Sequence, residues 1–127
     1  MTQTKEILLA EDEDHIAKLI TFKLSKENFV VTTARDGGEA ISLLDKKSWS
    51  LIILDIMMPV CDGWEVLKCI RSKTEFDALP VLMLTAKGYQ NVEVVSHAEM
   101  GAQQYLKKPF DPENLAKLVK RMVSEHS

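Results

Sequence analysis

Cysteine is scarce in this chain: two residues in 127, Cys61 and Cys69. Two thiols cannot build a disulfide framework, and with no CxxC spacing and no nearby pair of histidines they speak against zinc. They read as free thiols in a reducing compartment. Long apolar runs are absent too. None approaches the roughly 20 residues of a membrane span. The N-terminus, MTQTKEILLAEDED, lacks the basic-then-apolar layout of a signal peptide. Together these absences point to a cytoplasmic protein. An excess of positive charge is also missing: 16 Lys and Arg face 19 Asp and Glu, for a net charge of −3. The surface as a whole is therefore no nucleic-acid platform. Repeats and Ser/Gly-rich linkers do not occur, so nothing divides the chain.

What is present is ordinary globular composition, 46% hydrophobic and 28% charged, which excludes a disordered chain. The length suits one domain, able to bury about two thirds of its unfolded surface without a metal or disulfide. Short apolar runs alternate with amphipathic stretches. Residues 6–10 (EILLA) form a run that stops at acids. Over 14–27, Ile16, Leu19, Ile20 and Leu24 fall at helical spacing. Residues 29–34 (FVVTTA) are β-branched and strand-like. Asp36-Gly37-Gly38 breaks the chain, and Ala40, Ile41 and Leu44 then share one helical face. Residues 51–54 (LIIL) end at Asp55. Pro59 and Gly63 mark a loop before a helix carrying Val66, Leu67 and Ile70. Residues 79–84 (LPVLML) end at Thr85. A helix over 90–100 closes at Gly101, residues 103–107 make a short fifth strand, and Asp111-Pro112 opens a last helix as N-cap and first helical residue. Its apolar face is Leu115, Leu118, Val119, Met122 and Val123. Five strand–helix units of this kind predict an α/β sandwich: a parallel sheet with right-handed crossovers and helices on both faces.

In such a sheet ligands sit beyond the carboxyl ends of the strands. The strands end at Glu11-Asp12, Asp55, Thr85 and Lys107-Lys108. Any one of these could simply be a strand reaching water, and Thr85 alone reads as a helix cap. The combination says more. Clustered carboxylates repel one another unless a cation or lysine compensates. Hard oxygen donors suit Mg²⁺, which commonly bridges to phosphate, and a lysine opposite them supplies a point charge for the same phosphate. The inventory suggests phosphoryl chemistry at a carboxylate.

These residues resemble the receiver domains of two-component response regulators. The resemblance rests on Glu11-Asp12, on LIILDIMMPVCDGWE around Asp55, on MLTA with Thr85, and on YLKKPF with Tyr105 and Lys108. It spans about residues 5–124, and the chain is accordingly expected to be a single receiver domain over 1–127 with no output domain. It implies a flavodoxin-like (βα)5 sandwich with strand order 2-1-3-4-5. Asp55 would be the nucleophile that accepts a phosphoryl group from a phosphohistidine. Asp12 and Asp55 would bind Mg²⁺ directly with the backbone carbonyl of Met57, and Glu11 through water. Lys108 would pair with the phosphoryl oxygens across a cis Lys108–Pro109 peptide, and Thr85 would donate its hydroxyl. Tyr105 would be the aromatic switch that moves inward as Thr85 closes, and Lys107 a solvated neighbour. The readout face would comprise the fourth helix, the fifth strand and the last helix. Implied partners are a sensor histidine kinase or histidine phosphotransfer protein, docking beside Ile16–Leu24, and a downstream target or output domain on the readout face.

Some positions depart from the resemblance. Glu11 stands where Asp is frequent. Met57 and Lys87 occupy the positions flanking the phosphoryl group, and neither can orient an attacking water. Gln103-Gln104 follow Gly101-Ala102 where the winged-helix branch carries two aspartates, and Leu118 stands at its arginine, so half of that branch's dimer ion pairs are missing. Trp49 and Trp64 are expected at helix edges, His15 and His97 as surface or packing residues on helices, and His126 at a frayed terminus. The alternative function is a degenerate receiver serving as a constitutive interaction module, which the presence of all five key residues opposes. A dehalogenase-type phosphohydrolase would need an Asp at Met57, and a flavin carrier would need a phosphate loop where Glu11-Asp12-Glu13-Asp14 stands.

Overall fold

Continuous apolar runs can serve as strands only where both faces of the sheet are covered, and the structure, a computed structural model, covers them. It describes residues 5–85 and 101–125. The strands are β1 (Lys5–Ala10), β2 (Phe29–Ala34), β3 (Leu51–Asp55), β4 (Val81–Thr85) and β5 (Gln104–Lys107). The helices are α1 (Asp14–Ser25), α2 (Gly37–Leu43), α3 (Gly63–Arg71) and the C-terminal α4 (Pro112–Glu125). All strand pairs are parallel, in the expected order β2-β1-β3-β4-β5. The helix expected over 90–100, with Lys87 and His97, lies outside the described residues, as does His126.

Alternation within the apolar runs sorts the core into two layers. Ile7, Leu9, Leu51, Ile53, Leu82 and Leu84 pack with α1 and α4, whose Ile20, Leu24, Leu115, Val119 and Met122 complete that layer. Leu8, Ala10, Ile52, Leu54, Val81 and Met83 face the other way, against Leu44 beyond α2 and Val66, Leu67 and Ile70 of α3. Burying each such large aliphatic side chain is worth about 1.5–3 kcal/mol. Leu118, expected on the buried face of α4, is only half-buried at the margin of the first layer.

Local signals set the boundaries. Asp36 caps α2, its side chain accepting the Glu39 N–H at 2.8 Å. Asp62 and Glu65 form a reciprocal capping box at the start of α3. At α4 the Asp111 side chain accepts the Glu113 N–H at 3.0 Å, as the Asp-Pro pair predicts. Trp49 stands at a helix end, its Nε1 donating to the carbonyls of Leu43 and Leu44. The 79–84 run becomes a strand only from Val81, because Pro80 has no N–H to give the ladder. Both cysteines are free and half-buried. Among the described residues no helix is long and apolar enough to cross a membrane.

Candidate functional site at the carboxyl ends of the strands

The strand order carries the chain's acids to one edge. β1 and β3 are neighbours, with Ala10 opposite Leu54, so Glu11 and Asp55 leave the sheet side by side. Carboxylate oxygens of Glu11, Asp12 and Asp55 lie within 4.8 Å of one another. Glu11 and Asp55 are buried, at 1% and 3% exposure, while Asp12 is open to solvent. Gly63 lets α3 start against this strand end: a β-carbon there would stand 2.5 Å from the Asp55 carbonyl oxygen. In sequence Gly63 reads only as a loop marker. Its packing role is visible only once β3 and α3 are placed together.

β5 brings the compensating charge. The Lys108 N–H donates to the Thr85 carbonyl at 2.8 Å, and the Lys108–Pro109 peptide is cis, as the resemblance implied. The Lys108 ammonium lies 2.9 Å from Glu11 Oε1 and 3.1 Å from Asp55 Oδ2. Glu13 Oε2 stands 3.9 Å away as an outer neighbour, a contribution not anticipated for that residue. The Met57 N–H donates to Asp55 Oδ1 at 3.3 Å, while the Met57 side chain is 60% exposed. Lys107 is exposed, as expected.

Electrostatics follow from this packing. Burial, then the neighbouring Asp55, raises the Glu11 carboxyl to about 7, with Lys108 only partly opposing the shift. Burial pulls the Lys108 ammonium down, but Glu11 and Asp55 outweigh it and its pKa is raised. One lysine among three carboxylates leaves the cluster short of positive charge. The donors are all hard oxygens, one carboxylate is open to water, and the geometry suits a hydrated divalent cation such as Mg²⁺ better than a soft metal.

The remaining expected residues fall into two places. Thr85 is buried at the end of β4, one strand from Asp55. Tyr105 pairs in register with Met83. Its ring lies 6.3 Å from that of Trp64 on α3, and its hydroxyl is buried with no hydrogen-bond partner among the described residues. That burial raises the phenol's pKa. Tyr105 thus belongs to the α3 side of the sheet, apart from the carboxylates.

The sequence model of the response regulator receiver domain family matches residues 7–120. The chain belongs to that family. It is 40% identical over 129 residues to the transcriptional regulatory protein ResD of Bacillus subtilis, covering 100% of this chain and 52% of that protein. It is 38% identical over 123 residues to the regulatory protein VanRc of Enterococcus gallinarum, covering 97% of this chain and 52% of that protein. The chain therefore spans about half the length of these curated relatives. Among solved structures, the receiver domain of Francisella response regulator 1452 is similar at a TM-score of 0.89 and 29% identity, with 97% and 99% of the two chains covered. Chemotaxis response regulator CheY4 of Vibrio cholerae is similar at 0.87 and 31%, with 94% and 99% covered. The flavodoxin-like receiver fold is thereby established for this chain.

Proposed function

We propose that this receiver takes a phosphoryl group on Asp55 from a phosphohistidine, with Mg²⁺ held at the acidic cluster, and passes the change to a downstream protein or output domain. The observation that carries this reading is the Lys108 ammonium set between buried Glu11 and Asp55 beside a third carboxylate. Asp12, Asp55 and the Met57 carbonyl would hold the cation, with Glu11 acting through water. When bound, it would neutralise charge building up on the equatorial phosphoryl oxygens.

The protein's own part is positioning. An Asp55 oxygen forms the new bond to phosphorus as the bond to the donor imidazole breaks, and the electron pair of that bond leaves with the imidazole. Lys108 exchanges its carboxylate contacts for phosphoryl oxygens, which carry about −1.5 to −2 charges near neutral pH. Thr85, at the end of the neighbouring strand, donates its hydroxyl to the same group. That contact exists only in the phosphorylated state, so it shifts the equilibrium between two conformations. Tyr105, two residues along β5 from Lys107, couples the shift to the readout face. The chain works as a self-phosphorylating and self-dephosphorylating switch in the cytoplasm rather than as an enzyme on a separate substrate. Its donor would be a sensor histidine kinase or a histidine phosphotransfer protein docking beside α1.

Intact mass after incubation with Mg²⁺ and a small-molecule phosphodonor tests the reading. One added phosphoryl group on the native chain, and none on Asp55→Asn, is expected. A folded native chain that gains none, from this donor or from a phosphohistidine protein, favours the constitutive interaction module instead.

A further inference from the structure

The lysine that completes the site follows the shortest strand of the sheet. β5 has four residues, none of them buried, and pairs on one side only. Four register pairs to which β5 itself brings no buried side chain specify its alignment poorly. A slip by one residue would carry Lys108 away from Glu11 and Asp55 and turn Tyr105 to the other face.

A side-chain assembly stands at the start of this strand. The Arg71 guanidinium, at the end of α3, has no carboxylate within ion-pair distance among the described residues. It donates instead to three backbone carbonyls: Nε to Gly101 at 3.0 Å, Nη1 to Phe76 at 2.7 Å and Nη2 to Leu79 at 2.7 Å. Nη2 also donates to Gln103 Oε1 at 2.9 Å. The same Gln103 oxygen accepts the Val81 N–H at 2.8 Å, while the Gln103 N–H donates to the Val81 carbonyl at 3.1 Å. Gln103 thus closes a ring on Val81 with its side chain and backbone, one residue before β5 begins. Gly101 has φ +106°, and a β-carbon there would meet Arg71 Nε at 2.8 Å. The close approach of arginine and chain therefore needs that glycine.

We propose that Arg71 and Gln103 are positioning residues for phosphoryl transfer: together they clamp β5 to β4 in the one register that sets Lys108 against Asp55. The planar guanidinium serves four acceptors at fixed angles, which a lysine could not do. Gln103 supplies an oxygen where the backbone of β5 has not yet begun, so the ladder is pinned from both ends, by Gln103 on Val81 and by Lys108 on Thr85. The clamp rests on the proposed phosphoryl chemistry for its consequence, and on geometry alone for its existence.

The test compares native protein, Gln103→Leu, Gln103→Glu and Arg71→Lys. Gln103 is exposed, so its variants keep the fold. In Gln103→Leu the amides of Val81 and Lys108 are expected to exchange hydrogen faster while that of Ile53 is unchanged. Phosphoryl gain at saturating Mg²⁺ is expected to fall by about tenfold, since misplacing a reacting group by an ångström costs that or more. Mg²⁺ affinity is not weakened, because the three carboxylates stay in place. Gln103→Glu keeps the accepting oxygen and retains the native rate, whereas Arg71→Lys behaves like Gln103→Leu. Equal exchange at Val81 and Lys108 in native and Gln103→Leu overturns the clamp. Faster exchange with an unchanged phosphorylation rate overturns its role in positioning. If the native chain itself gains no phosphoryl group, the proposed function fails, and the exchange data alone decide whether the clamp exists.

Discussion

The central strands and the edge strand hold their site residues by different means. β1 and β3 bury Ile7–Ala10 and every residue from Leu51 to Asp55, so the acids at their ends are placed by packing on both faces. β5 buries none of its four residues, and Lys108 is placed by backbone ties, the Arg71–Gln103 contacts and attraction to Glu11 and Asp55. The site thus joins an acidic half on buried strands to a basic half on a half-buried strand tied in by polar contacts. The proposed switch would need such a difference: the half that must answer a new charge cannot be locked by the core.

Truncating one residue in each region breaks the comparison most strongly. Ile53→Ala, in the fully buried β3, should lower unfolding free energy by about 4 kcal/mol, whereas the half-buried Leu106→Ala in β5 should cost about 1 kcal/mol. Urea titration measures both. Equal losses would mean that β5 is as firmly packed as the centre.

The acidic half should also reveal itself through pH. Burial keeps the Glu11 carboxyl protonated up to about 7, against 4.5 for an ordinary Glu. Its protonation therefore stabilises the metal-free fold fully below about pH 4.5, and this contribution is lost as pH rises through 7. A cation at the cluster favours the ionised carboxylate, so Mg²⁺ affinity should fall by about tenfold for each pH unit below 7. Calorimetric titration between pH 5 and 8 measures it. Glu11→Gln should flatten the dependence, and a flat native profile would show that Glu11 does not face the cation.

The smallest effect concerns the loop after Asp55. Val60 has φ +72°, a left-handed conformation that a β-branched residue strongly disfavours, and its side chain is 78% exposed. Val60→Gly removes a strain of roughly 1–2 kcal/mol while adding freedom to the unfolded chain worth about half of that. The net gain in stability should be about 0.5–1 kcal/mol, read from the urea midpoint. A loss would show that the Val60 side chain makes contacts that outweigh the strain.

Much of this was legible in the sequence, for a physical reason. A parallel strand covered on both faces must be apolar throughout, so the runs at 51–54 and 79–84 stand out, and the residue ending each run has to sit at the sheet edge. That logic assembled Glu11, Asp12, Asp55, Thr85 and the Lys107-Lys108 pair at one edge, and the resemblance singled out Lys108 from that pair. It was weaker for β5, which has no run to announce it, and for the start of β4, where Pro80 delays the ladder. It was silent on Arg71 and Gln103, which are 32 residues apart and meet only because α3 ends beside the start of β5. Gln103 was conspicuous only as a departure from an aspartate pair. Val60 could not be foreseen, since a β-branched residue is the last choice for a left-handed position.

The central claim is that a fixed acidic half recruits a movable lysine to a phosphoryl group on Asp55. A crystal structure of the protein with Mg²⁺ and beryllium trifluoride, a phosphoryl mimic, tests it most directly. The account predicts the mimic on an Asp55 oxygen, Mg²⁺ against Asp12 and Asp55, and Lys108 Nζ drawn from Glu11 onto a fluoride, with the backbone of β1 and β3 unmoved. A mimic bound to another carboxylate, or a Lys108 still paired with Glu11 beside an occupied Asp55, would contradict it.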